Sequence, residues 1–106
     1  MRIAKKRRLI QYADHLRLRL VLRRIPEQLS RRIYYRAKER FFDTATHHRI
    51  AVARARYTGK IREIAISFEE TEETVTLITI HPLKAHQKTN RINSRSRWIP
   101  YEKKEN

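Results

Sequence analysis

The spacing of apolar residues changes once along the chain, between Phe41 and Arg49, and that change limits the fold more than any other feature. Before it, apolar side chains recur every three or four positions. Leu16 and Leu20 begin the stripe, Leu18, Val21 and Leu22 widen it, and Leu29, Ile33, Ala37 and Phe41 continue it. After it, they alternate: Ile50 and Val52, then Ile64, Ile66 and Phe68, then the run TVTLITI from Thr74 to Ile80. The first spacing lines one side of a helix, and the second lines one face of a strand. The order predicts an α+β fold in which two N-terminal helices pack on an antiparallel sheet of three to four strands.

Local signals refine the boundaries. Arg7 to Tyr12 reads as a short strand or an extended lead-in. Asp14 is the expected N-cap of a first helix running through Arg24. Pro26 fits the first turn of a second helix that continues to about Arg40. Strands are expected from Arg49 to Tyr57, from Ile61 to Phe68 and from Thr74 to Ile80, the last rich in branched residues and placed centrally. Thr58-Gly59-Lys60 supplies one turn and the acidic stretch from Glu69 to Glu73 another, while Pro82 closes the third strand. The tail from Leu83 to Trp98 is polar and basic, with room for a further short strand near Trp98. One sheet face is expected to cover the helices and the other to remain free for a ligand.

With 106 residues, the chain is expected to form a single domain, its core spanning about 11–98. Charge then decides the class of partner. Lys and Arg number 26 against 11 Asp and Glu, a formal net charge of +15, and Arg outnumbers Lys by 18 to 8. Such an excess repels itself, and a polyanion relieves the repulsion. Arginine suits phosphate because its planar fork donates two hydrogen bonds at once and stacks on bases. Nucleic acid, RNA above all, is the expected partner. No apolar run approaches the roughly 20 residues of a bilayer span, and the basic N-terminus lacks the apolar core of a signal peptide. A cytoplasmic protein with no membrane partner is therefore expected. The absence of cysteine excludes disulfides, thiolate metal ligands and a cysteine nucleophile.

Two basic clusters are the candidate sites. His15, Arg19 and Arg23 are each four residues apart and lie along one helix face, where their mutual repulsion is relieved by a bound phosphate or by simple solvation. The second cluster comprises His81, Lys84, His86, Lys88, Arg91, Arg95 and Arg97, interleaved with amides, hydroxyls and Trp98. Cations beside a large aromatic ring suit phosphate contact and base stacking, although Trp98 itself suits a core or edge plug better than a base-stacking role. His47-His48 and the His81–His86 pair lack the spacing of a helical zinc site and have no acidic residue close by in sequence, so neither a metal nor another cofactor is expected.

The stretch from His15 through Arg19 and Arg23 to Ile25-Pro26 resembles the opening helix of an uncharacterised bacterial domain family. That family is similar to the RelE and BrnT class of small ribonuclease toxins. His81-Pro82-Leu83-Lys84, Arg91 and Ser96-Arg97-Trp98 resemble the last strands of the same domain, so the resemblance spans roughly Gln11 to Trp98. It implies metal-independent RNA cleavage, by attack of a ribose 2′-OH on the adjacent phosphate, in a toxin neutralised by an acidic antitoxin, with the ribosome as a further candidate partner. Under it, His15 and His81 are the catalytic acid and base in unassigned order, assisted by Arg19 and Arg97. Arg23, Lys84, Lys88, Arg91 and Trp98 bind the RNA. The family's glycine after the second arginine is Arg24 here, which predicts a helix end without its left-handed cap, and Arg95 stands where a small residue is expected. The competing readings are a non-catalytic RNA- or ribosome-binding module and a DNA-binding regulator.

Overall fold

The computed structural model of the chain describes residues 8–93 and 97–102. The basic residues Arg2, Lys5, Lys6 and Arg7, and Arg95 with Ser96 in the tail, lie outside the described residues. The order of elements is β1 (Leu9–Tyr12), α1 (Asp14–Leu22), α2 (Glu27–Arg36), β2 (Glu39–Asp43), β3 (Arg49–Tyr57), β4 (Lys60–Glu70), β5 (Thr74–Pro82), α3 (Gln87–Asn93) and β6 (Trp98–Tyr101). The fold is α+β, as expected, but the sheet has six strands in the order β1-β5-β4-β3-β2-β6. It is mixed rather than antiparallel, because β1 pairs parallel to β5. The centre of the sheet is β4 and β3, and β5 lies one strand from the edge.

The alternating stretches form strands where the sequence places them, and their faces sort two cores. On one face, Ile64, Ile66 and Phe68 of β4 meet Val75, Leu77 and Ile80 of β5, and Leu16, Leu20, Leu29 and Ile33 of the two N-terminal helices cover them. Ala51, Ala53 and Ala55 of β3 face the same side, and their short side chains leave room for α2. On the other face, Phe41, Ile50, Val52, Ala65, Leu83 and Trp98 form a second core, with Ile92 of α3 packed against it. The second face is therefore partly covered, contrary to the expectation of an open one. A helix unforeseen in the tail, α3, and the ring of Trp98 close it.

Two helix boundaries differ from expectation. Asp14 lies inside the first turn of α1, and Ala13 occupies the cap. The second helix stops at Arg36 rather than near Arg40, because Ala37 turns to an extended conformation. Residues Glu39–Asp43 instead form a strand that bonds to β3 on one side and β6 on the other. Strand pairing on both sides satisfies backbone groups that a frayed helix end leaves open.

The end of α1 corrects a further expectation. Arg24 adopts the left-handed conformation (φ 53°) despite its side chain. The Ile25 N–H donates to the Leu20 carbonyl at 2.9 Å and the Arg24 N–H to the Val21 carbonyl at 3.2 Å, the two bonds of a Schellman cap. Ile25 and Leu20 share the first core, which supplies the apolar contact of that motif. Burial of Ile25 thus holds an arginine in a conformation that favours glycine. Arg24→Gly is expected to raise stability by about 0.5–1 kcal/mol, or roughly 2–6 °C in Tm. A lower Tm in thermal unfolding followed by circular dichroism would contradict this account of the turn.

Candidate nucleic-acid interface

The β5 strand carries one extra residue. Ser67 pairs with Thr79 and Phe68 with Leu77, so Ile78 has no partner in β4. This bulge reverses the alternation of β5. Leu77 and Ile80 both face the helical layer, and His81, paired with Ala65, faces the second core. Without the extra residue, His81 would share the face of Val75 and Leu77.

β1 pairs with only the first part of β5, from Leu9↔Thr74 to Tyr12↔Leu77. The chain then turns into α1, started by the Ala13 N–H donating to the Leu77 carbonyl at 2.9 Å. The remainder of β5 has no β1 neighbour, and α1 packs beside it. Leu16 and Leu20 are the buried anchors of α1, and between them Arg19 is half-buried, within electrostatic reach of His81. Arg91 of α3 approaches the same imidazole from the second face. His81 is held below the ordinary histidine value by burial first, then by the positive charges of Arg91 and Arg19. The neutral imidazole is therefore its resting form near pH 7.

Arg91 is itself held by an aromatic and acidic frame. Its guanidinium lies 5.4 Å from the centre of the Trp98 ring. Trp98 is only 2% exposed, stacks on Phe41 with ring centres 5.2 Å apart, and donates its indole N–H to Asp43 Oδ2 at 3.3 Å. The carboxylate of Asp43 also accepts from Arg97 Nε at 3.2 Å and from the Ala45 N–H at 2.9 Å. Burial alone would raise the Asp43 pKa, but these donors outweigh it and hold the carboxyl below its usual range. Arg97 is thus spent on Asp43, whereas Arg91 has no hydrogen bond or ion pair among the described residues, and its Nε is buried without an acceptor. Burial and the charge of Arg97 both disfavour the Arg91 cation, with Asp43 offsetting part of the effect.

The residues singled out in the sequence therefore separate. Arg19, His81 and Arg91 come together. His15 is exposed on α1, one turn before Arg19. Arg23 caps α1 and lines a separate depression with Arg24, Pro26 and Arg56, so the expected line of three basic residues does not converge on one ligand. Trp98 is a core plug, because both its burial and its stacking on Phe41 deny its face to a base. Lys88 is bonded to Glu39 at 2.9 Å and to Glu63 at 2.8 Å, and these carboxylates outweigh burial to keep it charged. It is not a free phosphate ligand. Lys84 opens onto a neighbouring cleft instead of onto His81. Missed in the sequence was Asp43, which no motif marks. Its one signal was an acid at the end of an aromatic run, Phe41-Phe42-Asp43.

Among the described residues, no group of three or more His, Asp or Glu side chains forms a metal site, and no helix is long and apolar enough to cross a membrane. In comparisons with protein-family models, curated proteins and solved structures, nothing matches this chain.

The electrostatic account of His81 is open to direct titration. Its imidazole is expected to titrate below about 6.5, the ordinary histidine value, and Arg91→Gln is expected to move the midpoint upward. The sign for stability follows. A folded-state pKa below the unfolded one stabilises the fold above about 6.5, the unfolded value, and that contribution is lost as pH falls from there through the lower folded-state value. A midpoint unmoved by Arg91→Gln in NMR titrations would contradict the placement of the two charges.

Proposed function

We propose that this chain is an RNA-binding protein and a metal-independent endoribonuclease of the RelE- and BrnT-like toxin type. The observation that carries the reading is the neutral His81 imidazole set between Arg19 and Arg91, the latter with its hydrogen-bonding capacity unspent. A general base near neutral pH and two cations beside it are what attack of a ribose 2′-OH on the neighbouring phosphate requires. In the proposed step, His81 accepts the 2′-OH proton. The 2′-oxygen bonds to phosphorus, and Arg19 and Arg91 stabilise the charge that gathers on the phosphoryl oxygens. The bond to the 5′-oxygen then breaks, and His15, exposed one turn from Arg19, protonates the leaving group. The products are a 2′,3′-cyclic phosphate and a 5′-hydroxyl.

The resemblance in the α1 and tail motifs supports the toxin-like reading, as does the α+β order in which α1 and α2 precede the antiparallel run from β2 to β5. An acidic antitoxin would match the charge of +15. The ribosome is a further RNA-rich partner of the right charge. Arg97 acts in this reading through Asp43, holding the β6 frame on which Arg91 stacks.

The experiment is incubation of the purified chain with single-stranded RNA in EDTA, with analysis of the ends produced. Cyclic phosphate ends are expected, with cleavage reduced about 10²–10⁴-fold by His81→Ala and about 10²–10³-fold by Arg91→Ala. Cleavage at the wild-type rate by the His81→Ala and His15→Ala proteins would overturn the assignment. Tight, salt-sensitive binding without any cleavage would replace it with a non-catalytic RNA-binding module.

A further inference from the structure

Beyond the His81 cluster, the end of β3 and β4 past the last β5 pairing carries a cleft of about 390 Å³. Arg54, Arg62, Lys84 and the Glu63–Lys88 pair line it, with Ile61 as its exposed apolar part. None of the cations Arg54, Arg62 and Lys84 has an ion pair or side-chain hydrogen bond among the described residues. The reason lies in the register. Glu63 stands directly across from Arg54 in the β3–β4 ladder and would be its natural partner. Its carboxylate instead accepts from Lys88 of α3, which also binds Glu39 of β2. Lys88 therefore withdraws the nearby negative charge, and the cleft keeps a surplus of unpaired cations.

The position of the cleft follows from the same ladder. Ala65 pairs with His81, and Glu63 lies two residues farther along β4, about 7 Å away in an extended strand. The Leu83 N–H donates to the Glu63 carbonyl at 2.9 Å, so the chain leaving His81 passes directly into the cleft wall. A separation of that order is one nucleotide step in an extended RNA strand, and the volume lies within the range of pockets that take small ligands.

We propose that this cleft is a second phosphate subsite, which holds the phosphate next to the scissile one and so aligns the RNA strand across His81. The inference rests on the reading of the chain as an RNA-binding nuclease. Arg54 and Arg62 carry the charge, Lys84 bridges from the His81 strand, and the exposed Ile61 gives the sugar an apolar surface. Lys88, in the wall of the cleft, serves as a positioning residue that ties up Glu63 and Glu39.

The test uses 2′-O-methyl oligonucleotides, which cannot be cleaved because the nucleophile is blocked. Affinities of a dinucleotide and of versions extended by one nucleotide at either end are measured with the full chain and with Arg54→Ala/Arg62→Ala. Arg54 is exposed and Arg62 half-buried, neither belongs to the buried core, and circular dichroism checks that the variant folds. The wild-type chain is expected to bind one extended version about tenfold more tightly than the dinucleotide. The variant is expected to lose that gain, with the slope of log K against log salt shallower by about 0.7 for the one phosphate released. Its affinity for the dinucleotide is expected to stay within about twofold. An equal gain in the variant and the wild type would overturn the subsite while leaving the His81 site intact. Equal loss on all probes would reduce the cleft to a general contribution of charge and also overturn it. Failure of the wild-type chain to bind any probe would instead overturn the RNA reading on which the subsite rests.

Discussion

A single unpaired residue in β5, Ile78, is the constraint from which the candidate site follows. It turns the strand over, so that Ile80 keeps the helical layer sealed while His81 faces the second core. Bulges bend a strand and re-aim its side chains, and here the bulge lies beyond the last β1 pairing. α1 can therefore approach the strand there and bring Arg19 to the imidazole. From the opposite side, α3 brings Arg91. One backbone irregularity thus decides which groups a phosphate would meet.

The charge of the chain is divided between two tasks. Four of the carboxylates are spent on framing the sheet. Asp43 ties β6 to β2 and occupies Arg97, Glu39 and Glu63 hold Lys88, and Glu70 meets Arg8 and Arg49. Exposed pairs of this kind contribute little individually, but each decides which cations are left over. Those left without an ion pair among the described residues include Arg91 and, around the cleft at the end of β3 and β4, Arg54, Arg62 and Lys84. Self-repulsion among them costs stability, which is offset when a polyanion binds.

Periodicity made much of the fold legible in advance. β3, β4 and β5 alternate clearly, and Leu16, Leu20, Leu29 and Ile33 mark the buried side of α1 and α2. The second helix was overextended because Leu29, Ile33, Ala37 and Phe41 keep a four-residue spacing straight through the boundary, so nothing in their order separates helix from strand. α3 was invisible because it buries no residue fully and has only Ile92 as an apolar contact, which leaves no period to detect. Of the site, His81, Arg19 and Arg91 were legible as basic residues at telling positions. The setting of Lys88 was hidden because it depends on Glu39 and Glu63, partners that lie far away in sequence, whereas the plug reading of Trp98 agrees with its burial against Phe41. Arg24 shows the limit of reading a missing glycine as a missing cap: burial of the next residue holds the left-handed turn regardless.

The central claim is that a phosphodiester sits between Arg19 and Arg91 against His81. The most direct test is NMR of the labelled chain titrated with a non-cleavable 2′-O-methyl dinucleotide, following backbone amides, guanidinium Nε–H groups and the imidazole. The account predicts that the largest shifts centre on Arg19, His81 and Arg91, which lie on three separate elements. Shifts spread evenly over the surface arginines, or centred on Arg31, Arg32 and Arg36 of α2, would contradict it.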